Sequence, residues 1–429
     1  AEQGVSQEEL DALIRGQTPP EEGPSGDDSG HGTFLAGVAC GRRSAADGFE
    51  GAAPQARLCV VKCRPAGQSL KAYYGIDPEV LCYSEADIMM AARFISRAAY
   101  DLMKPVVILL GVGTNLGSHG AGGALGEQLR YLGDFRGCLV VLAAGNEGDK
   151  AHHVKTRLLM QEGARDLKLQ VEKKKSFTTE LWSDIPSLYS VGFVTPSGEY
   201  AGRTIARPGA GQSIRFVLER TRIEVAYLPV SDLGGDTCLQ IRFFDAEPGL
   251  WTIRIFLENG GDTGFDLWLP IEAFVGEDVI FVQPEPDDTI CESGNQNEVI
   301  TVTGYDGYTG AQAVFASRGY ARFGGVKPDL AAPAVRVYGP VAGRDGLGGT
   351  GYAYRSGTSN AAALAAGAAV LLGQWALLQG RDINLDTPLA GRYLIRGARR
   401  PASLEWPNTI WGYGLLDLYG VFEGLRPLG

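Results

Sequence analysis

Short, almost continuously apolar runs recur along much of the chain, at Arg57–Lys62, Pro105–Gly111, Gly137–Ala144 and Glu298–Gly304. Runs of this length without alternation predict strands buried on both faces, as in a parallel sheet. Between them, Glu85–Met103 and Leu125–Phe135 have helical spacing, and Gly32–Cys40 opens a helix of small residues. Strands alternating with helices predict a layered α/β domain with a mostly parallel central sheet. The longest apolar stretch, Ala361–Gly373, is rich in Ala and Gly. It predicts a buried helix and is too short to span a bilayer.

Residues 151–283 break this rhythm. Ser213–Leu218 and Trp251–Leu257 alternate apolar and polar positions, with Gly, Pro and Asp clusters between such segments. Period-two alternation bounded by turn residues predicts antiparallel strands in a sandwich or barrel. The expected organisation is therefore an α/β core over 31–150 and 284–429, interrupted by an inserted antiparallel β-domain over 151–283. Residues 1–30 read as a short amphipathic helix, Gln7–Arg15, followed by a loop.

Composition narrows the partners. The 429 residues carry a net charge of −11, which argues against nucleic acid and anionic membrane, since both attract basic patches. The seven cysteines are odd in number, and Cys40, Cys59, Cys63, Cys82 and Cys138 lie within apolar runs. They read as small hydrophobes and free thiols in a reducing compartment, intracellular or spore-associated. Cys59 and Cys63 have no accompanying Cys or His pair, so no metal site is expected. A carbohydrate-binding role for the β segment would rest only on the scattered Trp251 and Trp268.

Three short strings carry candidate chemistry: His31-Gly32-Thr33, Ala143-Ala144-Gly145-Asn146-Glu147-Gly148 and Gly357-Thr358-Ser359. A serine hydroxyl needs a neighbouring base to become a nucleophile. Ser359 precedes an Ala-rich helix whose N-terminus favours developing negative charge. His31, one of four histidines, stands at the start of a helix among small residues that leave an imidazole accessible. Asn146 follows a predicted buried strand, where its amide could donate to an oxyanion, a contact worth about 3 kcal/mol in a transition state. Each string alone is weak. In order, each at a strand end or helix start, they occupy the places where α/β sheets collect active-site residues.

These strings resemble those of the subtilisin-like serine proteases. Gly51-Ala52-Ala53-Pro54-Gln55-Ala56, Phe315-Ala316-Ser317-Arg318-Gly319, Val326–Pro333 and Trp411–Asp417 resemble further segments of that family. Gly113–His119, the β insertion and the lack of proline after Ser359, through Asn360-Ala361-Ala362-Ala363, resemble the Csp-like germination-type branch of spore-forming Firmicutes. That branch implies a three-layer subtilisin-like fold with a jelly-roll insertion. The resemblance makes Ser359 the nucleophile, His31 the general base and Asn146 an oxyanion donor. It makes Gly111-Val112-Gly113 and Ala143-Ala144-Gly145 the edges that bind substrate backbone and wall its main side-chain pocket. It implies a protein or peptide substrate, including a zymogen, and no cofactor.

The family's catalytic Asp, on a hydrophobic strand upstream of the histidine, has no counterpart here. Asp11 falls in a helical pattern, while Asp27 and Asp28 are close enough to His31 to cap its helix. The expectation is that this Asp lies upstream of the chain, on a segment that acts as a further partner. The rival expectation is a catalytically silent pseudoprotease with a binding or regulatory role.

Overall fold

The computed structural model describes residues 27, 29–120, 123–205, 207, 209, 211–228, 236–259, 263–322, 324–342 and 351–425. The predicted Gln7–Arg15 helix, Asp11 and Asp28 lie outside these residues. A parallel sheet of four strands, ordered β1 (Val106–Leu110), β2 (Cys138–Ala143), β14 (Ile300–Tyr305) and β15 (Leu330–Pro333), forms the centre of the core. The nearly continuous apolar run of β2 is explained by its two faces. Leu139 and Val141 pack with Ile300, Val302 and the Ala-rich helix Thr358–Gly373. Cys138, Val140 and Leu142 pack the other way, with Ile108 and Leu129 of the Ala124–Gly133 helix. Helices on both faces make the three-layer α/β arrangement that the alternating pattern predicts.

The Ala-rich helix runs on through a π-helical turn, Gln374–Leu378. The joined segment is long and apolar enough to cross a membrane by length and composition, which corrects the expectation that it was too short. Its alanines are instead core: Ala361, Ala362, Ala365 and Ala369 are fully buried against the sheet.

Between β2 and β14 the chain builds two antiparallel sheets. One has the order β3 (His153–Leu158), β12 (Thr263–Trp268), β5 (Lys175–Asp184), β10 (Asp236–Ala246), β9 (Arg222–Leu228), β8 (Gly211–Arg215). The other runs β13 (Val279–Phe281), β4 (Ala164–Val171), β11 (Gly249–Asn259), β6 (Leu188–Val194), β7 (Tyr200–Ala201). Several consecutive strands switch sheets, as in a jelly-roll, and their inward residues form one core of their own. The alternating segment expected over Ser213–Leu218 is a strand only from Gly211 to Arg215.

Trp251 and Trp268 are both fully buried, so neither is a surface platform for a sugar ring. Trp251 packs edge-on to Phe216 and Phe243, with centroids 5.7 and 5.8 Å away, and its Nε1–H donates to Glu247 O at 2.9 Å. Trp251→Ala should therefore destabilise the sandwich by about 3–5 kcal/mol. The check is a fall in urea midpoint at unchanged slope.

One expected strand is not formed. Arg57–Lys62 has no strand pairing among the described residues, and Leu58 and Val60 are 56% and 70% exposed. Its Cys59 is exposed too, against the expectation of a buried small hydrophobe. An apolar sequence becomes a buried strand only where a neighbour completes its hydrogen-bond ladder. β1, which pairs only with β2, is likewise an open edge of the described sheet.

Candidate active site

The helix His31–Cys40 is nucleated by Asp27. Its Oδ1 accepts from Gly30 N–H (2.9 Å) and Ser29 Oγ (3.1 Å), and its Oδ2 from Thr33 N–H and Oγ1 (both 2.8 Å). Those contacts satisfy first-turn amides that have no helical partner, as expected of a capping aspartate. They fix the turn that carries His31 and leave the carboxylate fully engaged. His31 has no side-chain hydrogen-bond partner among the described residues.

Ser359 is the second residue of the helix Thr358–Gly373 and is 8% exposed. Gly111, at the end of β1, lies against both side chains. A Cβ built there would be 3.3 Å from Ser359 Cβ, 3.4 Å from His31 Cε1 and 2.4 Å from Leu35 Cδ1. The histidine and serine thus both pack against one main-chain position, where glycine is required because even a methyl group would clash with Leu35. Ser359 Oγ donates to Gly111 O at 2.9 Å, in place of a direct bond to the imidazole. Its own main-chain N–H has no partner among the described residues and lies at the positive end of the helix dipole.

Asn146 faces the same helix end. Its Oδ1 accepts Thr358 N–H at 2.9 Å and Thr358 Oγ1 at 3.0 Å. A main-chain N–H can only donate, so the orientation of this amide is fixed. Nδ2 is left as an exposed donor, 3.6 Å from where a Cβ on Gly357 would stand. Thr358 Oγ1 also contacts both the N–H and the carbonyl of Gly145, at 3.1 and 3.0 Å. The sequence string presents Thr358 only as part of a serine-bearing loop. Here it clips that loop to the asparagine loop.

The pattern that defines the Subtilase family matches residues 7–180 and 276–393, well over half of the chain. The chain belongs to the subtilase family. Its structure is similar to that of the CspB protease of Clostridium perfringens, with 27% identity and a TM-score of 0.80 over 92% of this chain and 81% of that one. It is also similar to a mutant protease domain of PatA (14% identity, TM-score 0.45, covering 94% and 82%). Sphericase follows at 16% identity and TM-score 0.44, covering 91% and 78%. No curated protein matches the chain. The family and the CspB likeness make the protein a subtilisin-like serine peptidase of the Csp-like branch, acting on peptides or proteins.

In this subtilase the two expected substrate edges differ in character. Val112 is exposed, and Gly111 and Gly113 are half-buried at the open end of β1. Ala143 closes β2, whereas Ala144 is fully buried, its N–H donating to Val302 O and its carbonyl accepting Cys291 N–H. Ala144 therefore stands behind the edge, and Gly145 (φ 110°) carries the turn toward Asn146. Cys291 fills the space between the edges. A Cβ on Gly113 would be 2.8 Å from its Sγ, and one on Gly145 would be 2.6 Å from it. Burial raises this thiol well above the ordinary cysteine range. No local pattern marked Cys291, because the contact joins segments distant in sequence. Among the described residues no group of three or more His, Cys, Asp or Glu is placed to hold a metal ion.

The imidazole of His31 is held below its ordinary value of 6.5, first by burial and then by the nearby Arg355 guanidinium, with Asp27 opposing both. At neutral pH it is the unprotonated form, the one a general base requires. Reactivity at Ser359 should therefore fall on the acid side only below the usual imidazole range. Arg355→Gln removes a charge that disfavours imidazolium, so the acid limb of a labelling-rate profile should move to higher pH. An unmoved limb would show that Arg355 does not act on this histidine.

Proposed function

We propose that the protein is a serine endopeptidase that cleaves through an acyl-enzyme on Ser359. His31 takes the hydroxyl proton as Ser359 Oγ adds to the scissile carbonyl, and returns it to the leaving amine. Asn146 Nδ2 and Ser359 N–H donate to the oxyanion. Water, deprotonated by the same imidazole, then releases the acid and restores the hydroxyl. The supporting observation is the convergence at Gly111, against which Ser359 and His31 both pack, with Asn146 held at the same helix end and its Nδ2 free. An extended peptide would lie along Gly111-Val112-Gly113 as an added strand, and a zymogen is a fitting substrate.

The reading includes an aspartate, supplied from outside the described residues, to orient His31. A second reading is favoured by His31 having no partner and by Ser359 Oγ bonding to Gly111 O. It is a pseudoprotease that keeps the fold for binding. A fluorophosphonate probe decides between them. Covalent labelling at Ser359, lost in Ser359→Ala, is expected of the peptidase. Absence of labelling, both in this chain and in a version extended upstream, would leave the binding protein.

A further inference from the structure

Glu147, the residue after Asn146, is 4% exposed, and its carboxylate joins three separate segments. Oε2 accepts from His152 Nδ1 at 2.7 Å and from Asn115 Nδ2 at 3.1 Å, while Oε1 accepts Glu272 N–H at 3.0 Å. Its own N–H donates to Ser317 Oγ at 3.0 Å. Asn115 lies on the loop that continues from Gly113. His152 and Glu272 are the roots by which the inserted sandwich meets Glu147, the first just before β3 and the second in the short helix Glu272–Val275 between β12 and β13. The roots are pinned to each other as well, by Leu269 N–H donating to His152 O at 2.8 Å.

A buried carboxylate is tolerated only where donors surround it, and losing one leaves a costly orphan. The three donors therefore constrain where Glu147 sits, and through it the orientation of the preceding Asn146. His152 must carry its proton on Nδ1 to donate, and its buried Nε2 has no partner. The ring has no competing use in the described structure. Capping and turn chemistry do not explain an acid that reaches from a β2–β3 connection to an amide 125 residues away.

We propose that Glu147 is a positioning residue, through which the sandwich roots and the substrate-edge loop hold Asn146 Nδ2 on the oxyanion. This rests on the role given to Asn146 above. The catalytic elements and the insertion then form one unit at this point, so that the β-domain shapes the active site without touching substrate.

The test uses the full chain with Glu147→Gln, Asn146→Ala and the double variant, measured two ways. Hydrogen exchange at the Glu272 amide should accelerate in Glu147→Gln, together with amides 114–117 and 144–148, while the distal sandwich strands stay unchanged. Fluorophosphonate labelling of Ser359, normalised to folded protein, should slow about 10-fold or more in Glu147→Gln. In the Asn146→Ala background the same change should cost less than about 2-fold, because it acts through the amide already removed.

An equal cost with and without Asn146, or unchanged exchange at Glu272, overturns the proposal. If unsubstituted protein never labels, the peptidase reading fails, and the exchange result alone decides whether Glu147 couples the segments. Should Glu147→Gln not fold, His152→Ala, which keeps the carboxylate and removes one root donor, is read by the same two criteria.

Discussion

Ser359→Ala and His31→Ala should each lower kcat for peptide hydrolysis by about 10⁶-fold in the assembled enzyme, and the double variant should be no worse than either. The reason is that nucleophile and base share one step: an imidazole without a hydroxyl to activate, or a hydroxyl without a base, leaves only the oxyanion donors and binding. The packing at Gly111 fits this coupling, since the two side chains lie against the same main-chain position. The check is kcat on a peptide substrate, with unfolding midpoints to confirm that the variants remain folded. Additive losses, or hydrolysis persisting in Ser359→Ala at near the unsubstituted rate, would place the chemistry on other residues.

The fold was legible where local pattern and tertiary environment agree. β2 and β14 are buried on both faces, so their apolar runs could be read directly, and β1, of which only Ile108 is fully buried, pairs with β2 along its whole length. The sandwich strands around Trp251 show their alternation because one face meets the core and the other does not. The Arg57–Lys62 run has the same apolar character and is not a strand. Being a strand depends on a pairing neighbour, which a run of side chains does not encode.

The candidate site divides in a similar way. His31, Asn146 and Ser359 stand out as candidates because each sits in a short string with its own turn or helix signal. Thr358, Cys291, Arg355 and Glu147 act through contacts between segments more than a hundred residues apart for Thr358, Cys291 and Glu147, and nothing in their local sequence distinguishes them from packing residues. Ala144 shows the converse limit, since the string that suggests an exposed edge places it in the core with both main-chain groups taken.

Placing a carboxylate beside His31 should raise the labelling rate of Ser359 by about 10⁴-fold, the scale on which loss of the triad aspartate acts in subtilisin. Asp27 cannot take that role while its oxygens hold Gly30, Ser29 and Thr33. The structure also offers a place for a strand to arrive. β1 pairs on one side only and has a free edge among the described residues. A strand added there would gain ladder hydrogen bonds. If it ended in aspartate near the start of the His31–Cys40 helix, it could fix the imidazole tautomer. The comparison is between this chain, the chain extended upstream, and the chain mixed with that upstream segment as a separate polypeptide. Faster labelling should be accompanied by slower hydrogen exchange over 106–110, and replacing the added Asp by Ala should keep the protection while losing the rate. Protection without acceleration in the Asp-bearing form would mean that the strand completes the sheet but not the triad, and the pseudoprotease would then be the better account.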